Sequence, residues 1–140
     1  MLKITLPGKP KPKPAGCIKY SNGRAYLSMD VRGYKKWQAK HKKALISKNI
    51  PIQDRPFGIV YQVIVPNRKG LGDLTNITNA IQDVLVQASV IPDDNSTHIR
   101  NVFECLTVDS DSGYFTNIWI CRTKTEFIRI INSLLLVMDA

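Results

Sequence analysis

The chain has 140 residues, of which 44% are hydrophobic, and carries a formal net charge of +9 at neutral pH. This length and composition predict one domain with its own core, and the charge favours a polyanionic partner. The apolar stretch at residues 134–138 is too short to cross a bilayer, and the first residues do not have the pattern of a secretory signal. Three cysteines without CxxC spacing argue against structural zinc and favour a reduced, cytoplasmic setting.

The charge is distributed unevenly along the chain. Residues 1–48 contain thirteen Lys or Arg and a single acid, whereas residues 49–140 contain seven Lys or Arg and ten acids. Such segregation can direct one surface toward a phosphate backbone and leave carboxylates elsewhere for a metal ion. A solvated lysine-rich surface without a partner would produce the same pattern.

A basic, proline-rich arm follows the first predicted strand. Residues 2–6 indicate a short strand, and in residues 7–14 prolines alternate with lysines. The prolines fix an extended backbone that can be neither a helix nor a central strand. This arm is either a stiff linker or a segment that follows phosphates.

The next elements are a turn, a second short strand and a helix. An Asn22-Gly23 turn precedes a second short strand at residues 25–28. Residues 30–48 then show helical spacing of apolar residues. His41 shares this apolar stripe, which indicates a packed core histidine.

The remaining elements alternate between strand and helix patterns. They are a central strand at 56–66, a Gly-rich basic loop at 67–72, an amphipathic helix from Leu74 to about Val86, two strands at 98–108 and 114–121 joined as a hairpin by an acidic turn at 109–113, and a helix at 123–138. The last helix is apolar nearly all round, so it must be buried in the core or against a partner. Together these elements predict one α/β (α+β) domain, a mixed β-sheet packed with about three helices.

Carboxylates in and after the amphipathic helix indicate a functional site in this segment. Residues 73–85 have the sequence DLTNITNAIQDVL, and the pair Asp93-Asp94 follows. Taken singly, Asp73 is an ordinary helix cap and Asp83 an ordinary exposed acid. Together, in a basic protein, these acids suit a site that holds Mg²⁺ against phosphate.

The distance between these acids permits two arrangements. A helix from Leu74 to about Val86 rises roughly 18 Å, and residues 87–94 span roughly 26 Å if extended. Asp94 can therefore reach Asp73 within one chain only if residues 87–94 are almost fully extended. Antiparallel pairing of the helix across a dimer would bring the same groups together with less strain, and both arrangements stay open.

The same residues resemble the RusA family of Holliday junction resolvases. The family signature is roughly Asp-x-Asp-Asn-Leu-x-Lys-Ala-x-x-Asp-Ala-Leu, followed by a turn and Asp-Asp, and residues 73–85 and 90–94 are similar to it. The sequences LPGKP at 6–10 and NGRAY at 22–26 are similar to that family as well, so the resemblance touches most of residues 1–100. Two positions depart from the signature, because Thr75 replaces its second acid and Asn79 replaces its lysine.

The resemblance implies a homodimer that nicks four-way DNA junctions in pairs during DNA recombination and repair, with Mg²⁺ as cofactor and Mn²⁺ as an alternative. It implies Asp73 and Asp94 as catalytic residues and Asp73, Asp93 and Asp94 as metal ligands. The supporting positions are Thr75, Asn76, Asn79 and Asp83. The side chains expected to hold DNA phosphates are Lys9, Lys11, Lys13, Lys19, Arg24, Arg68 and Lys69.

Two other functions fit the residues. The departures at Thr75 and Asn79 would suit a RusA-like protein that binds junctions with weakened cutting. Alternatively, the chain is a basic nucleic-acid-binding module without enzyme activity, for DNA or RNA, in which the acids only cap helices and turns.

Overall fold

In the residues that the structure describes, a four-stranded mixed sheet, a separate two-stranded hairpin and three helices form the fold. The computed structural model describes residues 1–14, 18–27, 29–92 and 99–138. The strands are β1 (Leu2–Pro7), β2 (Ile18–Ser21), β3 (Arg24–Leu27), β4 (Gly58–Val65), β5 (Asn101–Val108) and β6 (Phe115–Cys121). The helices are α1 (Met29–Ser47), α2 (Leu74–Gln87) and α3 (Lys124–Met138). This architecture confirms the predicted fold class.

Strand β4 lies inside the sheet, whose order is β1-β6-β4-β5. It pairs antiparallel with β6 and parallel with β5. All eight of its residues are buried, as expected for an almost continuously apolar strand that is covered on both faces. The prediction of a central strand is confirmed.

The predicted hairpin between the last two strands is wrong. Strands β5 and β6 do not pair, because β4 lies between them. Helix α2 connects β4 to β5 as the crossover that two parallel neighbours require. The acidic turn at 109–113 therefore spans the position of β4 rather than closing two adjacent strands.

Side-chain alternation along the strands separates two hydrophobic clusters. One cluster joins α1 and α2 to one face of the sheet and includes Ile59, Tyr61, Ile77, Ile81 and Leu85, each without exposed surface. The other cluster lies beneath α3, where the buried residues are Val60, Cys105, Cys121 and Leu134. The sheet is thus sandwiched between two helices on one side and a single helix on the other.

Helix α3 is much less buried than its sequence suggested. Within the helix only Leu134 is buried, whereas Leu136 is 83% exposed and Val137 is 62% exposed. A helix lying on a flat sheet covers only one of its own faces, so the other apolar face remains at the surface. Burial in the core, one of the two predicted alternatives, is therefore excluded for most of this helix, and burial against a partner stays a prediction.

The turn at Asn22-Gly23 and the core histidine match their predictions, and the turn closes a hairpin of β2 and β3. Asn22 and Gly23 have φ angles of 52° and 74°, and turns with two positive φ angles fit the twist of a two-residue hairpin. His41 is 3% exposed and its ring lies edge-on to Trp37, with centroids 5.1 Å apart. Burial, reinforced by the charge of Lys40, lowers the pKa of His41.

In the described part of the chain, no helix is long and apolar enough to cross a membrane.

Candidate active site

Asp73 caps the N-terminus of α2. Its Oδ1 accepts a hydrogen bond from the backbone N–H of Thr75 at 3.1 Å, which satisfies one of the unpaired donors of the first turn. The preceding loop contains Gly70 and Gly72 at positive φ, a conformation that glycine adopts without steric cost. Because only one oxygen of the exposed Asp73 carboxylate caps the helix, the other remains available to a ligand.

The basic arm packs along this helix entrance. Gly72 approaches it closely, since a Cβ built there would lie 3.3 Å from Cγ of Pro12. Pro10 is buried and Pro12 is half-buried, whereas Lys9 and Lys11 are exposed. Prolines therefore hold the arm against the protein and lysines project from it, in the alternation that the sequence contains.

Two further contacts fix the ends of the arm. The ammonium of Lys9 lies 5.5 Å from the centre of the Tyr114 ring, and the N–H of Gly8 donates to the carbonyl of Tyr114 at 2.9 Å. At the other end, Nζ of Lys13 lies 3.4 Å from Oδ2 of Asp83. The arm thus extends from the turn before β6 to the middle of α2.

Asp83 contacts Lys13 of the arm, whereas Asp73 caps the helix entrance. Burial, together with the Asp83 charge, raises the pKa of Tyr34 to about 12. The Tyr34 hydroxyl accepts a hydrogen bond from Gln38 at 2.9 Å and is protonated at neutral pH. Asp83, one of the predicted supporting positions, thus pairs with Lys13 of the arm.

A different carboxylate stands beside Thr75. The Thr75 hydroxyl donates to Oε1 of Glu104 at 2.8 Å, and the Thr78 hydroxyl contacts Oε2 of the same side chain. Glu104 lies on β5, directly opposite Tyr61 of β4. Asp73 and Glu104 thus contact the same residue, one through its backbone N–H and the other through its hydroxyl.

Sequence reasoning missed Glu104, although a local signal existed. It is the only acid in the strand NVFECLTV. Strand periodicity puts it on the same side as Leu106, which packs against the core under α2. An acid on the inward side of a strand is unusual enough to suggest a specific role.

The other predicted residues lie at the surface or outside the described residues. Asp93 and Asp94 lie outside them, and so does the side chain of Lys19. The exposed residues are Arg24 in the hairpin, Arg68 and Lys69 in the loop before α2, and Asn76 and Asn79 on the helix. The carbonyl of Asn76 also accepts a long hydrogen bond of 3.5 Å from the backbone N–H of Lys13.

The described residues contain no group of three or more His, Cys, Asp or Glu that could hold a metal ion. Asp73 and Glu104 nevertheless offer the hard oxygen ligands that Mg²⁺ prefers. Mg²⁺ commonly uses only one or two carboxylates, with water and substrate phosphate completing its shell. The donor chemistry at the helix entrance therefore fits this ion.

Neither the protein-family models nor the curated proteins contain a match to this chain.

Proposed function

We propose that this chain is a divalent-metal-dependent endonuclease of the RusA type, which cuts four-way DNA junctions as a homodimer. One observation carries the proposal: a lysine-bearing arm is docked across the entrance of the helix that Asp73 caps. Cations beside a carboxylate are the combination that phosphodiester hydrolysis needs, because the substrate is anionic and its reaction requires a metal.

The arm is suited to following a DNA strand. In an extended proline-rich backbone alternate residues lie about 6 Å apart, so the lysines are regularly spaced along the arm. Lys9 and Lys11 are exposed, and Arg68 and Lys69 extend the positive surface from the neighbouring loop. Because the prolines already hold the backbone, little ordering of the arm would accompany binding.

Asp73, with Asp93 and Asp94, would hold the metal ion. Mg²⁺ bound there supplies charge stabilisation to the phosphate and lowers the pKa of a water molecule. The lysines of the arm would position the strand so that one phosphodiester lies at Asp73. Hydrolysis would then form a bond from water oxygen to phosphorus and break one ester bond.

The exposed apolar face of α3 would form the dimer interface. A groove on this helix is lined by Ile128, Asn132 and Leu136, among others. The helix lies on the opposite side of the sheet from α2, so an interface there would leave both arms accessible. Two sites in one symmetric dimer would account for paired nicks in a four-way junction.

Binding without cutting is the second candidate. It is favoured by Thr75 and Asn79, which replace an acid and a lysine of the signature. It is also favoured by the ordinary capping contact that Asp73 makes with Thr75. In that case the arm would bind branched or single-stranded nucleic acid, and the acids would be structural.

Cleavage of a labelled synthetic four-way junction separates these candidates. The parent should cut the junction in Mg²⁺ and leave a linear duplex of the same sequence intact. Asp73→Asn should lower the single-turnover rate about 100-fold or more, because loss of metal charge stabilisation costs several kcal/mol. Junction affinity should persist, since the basic arm is unchanged.

Asp109→Asn is the matched control. Asp109 also accepts a hydrogen bond from the N–H two residues later, that of Asp111 at 3.0 Å. It lies in the turn after β5 and should cut at the parental rate. A parent that binds the junction but never cuts it would establish the second candidate instead.

A further inference from the structure

Helix α1 carries a second concentration of positive charge, separate from the arm. Residues 31–53, which include most of this helix, contain seven Lys or Arg and no acid. Five lysines lie within the helix, and all are exposed: Lys35, Lys36, Lys40, Lys42 and Lys43. The ion pairs in the described part of the chain lie elsewhere and join Lys13 to Asp83 and the N-terminal amine to Glu126. A helix surface with this many cations and no acid attracts a polyanion.

The opposite side of α1 is already occupied by the core of the protein. Tyr34, Trp37, His41 and Leu45 are all buried there. A basic helix that binds a lipid surface inserts its apolar side into that surface, and in α1 this side is not available. The exposed side can therefore bind only through charge, which suits the phosphate backbone of a nucleic acid.

The basic arm touches α1 at Gly33. A Cβ built on Gly33 would lie 3.1 Å from Nζ of Lys11. Lys36 and Lys40 follow Gly33 by three and seven residues, so they lie on the same side of the helix as this contact. Lys35 and Lys42 follow it by two and nine residues and lie about half a turn away. We call Lys36 and Lys40 the arm-facing lysines of α1.

The end of α1 leads to the far end of α2. In the loop that follows α1, the N–H of Gln53 donates to the carbonyl of Val90 at 2.7 Å, and Val90 lies beyond the last turn of α2. The arm, by contrast, contacts the entrance of α2. From Gly33 to Lys40 the helix rises about 10 Å. One DNA strand has a phosphate about every 3.4 Å along the duplex axis, so this distance corresponds to about three phosphates.

We infer that the arm-facing side of α1 is a second DNA-binding surface, which holds the phosphate backbone of a duplex arm beside the strand that lies along the basic arm. This inference rests on the proposed function and adds Lys36 and Lys40 to its DNA contacts. The resemblance to the RusA signature assigns no role to either lysine. Two surfaces that meet at Lys11 would let one protomer hold two segments of a branched substrate.

Junction binding in EDTA tests this surface without cleavage. In fluorescence anisotropy, Lys36→Gln with Lys40→Gln should lower affinity at least about tenfold at roughly 0.1 M salt, and should reduce the slope of log affinity against log salt by up to about 1.8. Lys35→Gln with Lys42→Gln is the matched control, because it removes the same charge from the other side of the same helix. The control pair should keep the parental slope. Circular dichroism of both pairs checks that the helix is retained.

Neutral linkages in the DNA locate the contact. Methylphosphonates replace single phosphates at successive positions along one duplex arm of the junction. At the positions that contact α1, they should weaken binding of the parent and of the control pair about fivefold or more at roughly 0.1 M salt. They should not weaken binding of the Lys36→Gln, Lys40→Gln variant any further, because the partner charge is already gone.

The outcomes separate this inference from the proposed function. Equal loss of slope in the two lysine pairs would mean that α1 acts only through total charge, and it would overturn the inference. So would a linkage scan without any position at which the parent and the arm-facing variant differ. If both pairs bind like the parent while Asp73→Asn abolishes cleavage, the inference fails and the nuclease stands. If the expected binding pattern is found but the parent never cuts in Mg²⁺, the second DNA-binding surface stands and the nuclease fails.

Discussion

The two faces of the β-sheet differ in how completely this chain covers them. Under α1 and α2 the sheet is closed by a large core that includes Ile77, Ile81 and Leu85, all without exposed surface. Under α3 the cluster has four buried members among the described residues, and Leu136 on the same helix is 83% exposed. The difference indicates that stability resides mainly on the α2 side, whereas the α3 side is available for association.

The candidate site follows the same division. Asp73, Glu104 and the basic arm all lie with α2, where a rigid core can hold carboxylates and lysines in fixed positions. The exposed apolar residues of α3 lie on the opposite side of the sheet. A chain arranged in this way can associate through one face and bind a large anionic substrate at the other.

Alanine substitutions on the two helices should give the largest contrast. Ile81→Ala removes a fully buried side chain from α2 and should lower the free energy of unfolding by about 2–5 kcal/mol. Leu136→Ala on α3 should change it by no more than about 0.5 kcal/mol in dilute protein. Urea denaturation measures both. Equal losses would contradict the division of the sheet into a closed and an open face.

Charge introduced on α3 should separate association from folding. Leu136→Lys puts an ammonium into the proposed interface and should weaken self-association at least about tenfold, or roughly 1.4 kcal/mol. Ile52→Lys is the control, since Ile52 is 53% exposed in the loop between α1 and β4. Sedimentation equilibrium should show a dimer for the control. A monomeric parent, or an unaffected Leu136→Lys dimer, would remove α3 from the interface.

Removal of lysines from the arm should weaken DNA binding in a salt-dependent way. Lys9→Gln with Lys11→Gln should lower junction affinity by roughly 1 kcal/mol and reduce the slope of log affinity against log salt by up to about 1.8, since each phosphate contact contributes about 0.9. Arg55→Gln with Arg122→Gln removes the same charge from exposed positions outside the arm and outside the α3 groove, and should leave the slope unchanged. Fluorescence anisotropy at several salt concentrations measures both. Equal slopes for the two pairs would show that the arm is only a linker.

His41 should make the free energy of unfolding weakly dependent on pH. Its pKa is lowered by burial in the native state, so between that value and the ordinary 6.5 the unfolded chain binds more protons. Stability should therefore be full above pH 6.5 and decline as the pH falls toward 5.5, by about 1 kcal/mol or less. His41→Gln should decline less over the same range in urea denaturation. Parallel curves for parent and variant would exclude His41 as the cause.

Local patterns predicted most of the individual elements. The buried run of β4, the Asn22-Gly23 turn and the amphipathic helix α2 each depend on residues close together in sequence. The apolar stripe of α1 likewise predicts the core position of His41. These features follow from periodicity and turn chemistry, which one sequence contains in full.

Nonlocal contacts were not predictable in the same way. The turn at 109–113 indicates that the chain reverses direction. Whether β5 and β6 then pair depends on the strand order of the sheet, in which β4 lies between them. The contact between Thr75 and Glu104 spans 29 residues and exists only because α2 crosses over β5. Neither follows from spacing along the chain, since both depend on sheet order.

A divalent cation at the entrance of α2 is the feature on which the proposed reaction depends, and its position can be mapped directly. Fe²⁺ substituted for Mg²⁺ in the presence of ascorbate and peroxide generates radicals that cut the polypeptide near the bound ion, and mass spectrometry locates the cuts. We expect cuts near Asp73, Glu104 and the Asp93-Asp94 pair, which excess Mg²⁺ suppresses and Asp73→Asn abolishes. Cuts confined to other segments, or cuts that Mg²⁺ and Asp73→Asn leave unchanged, would contradict a metal-dependent nuclease at this site.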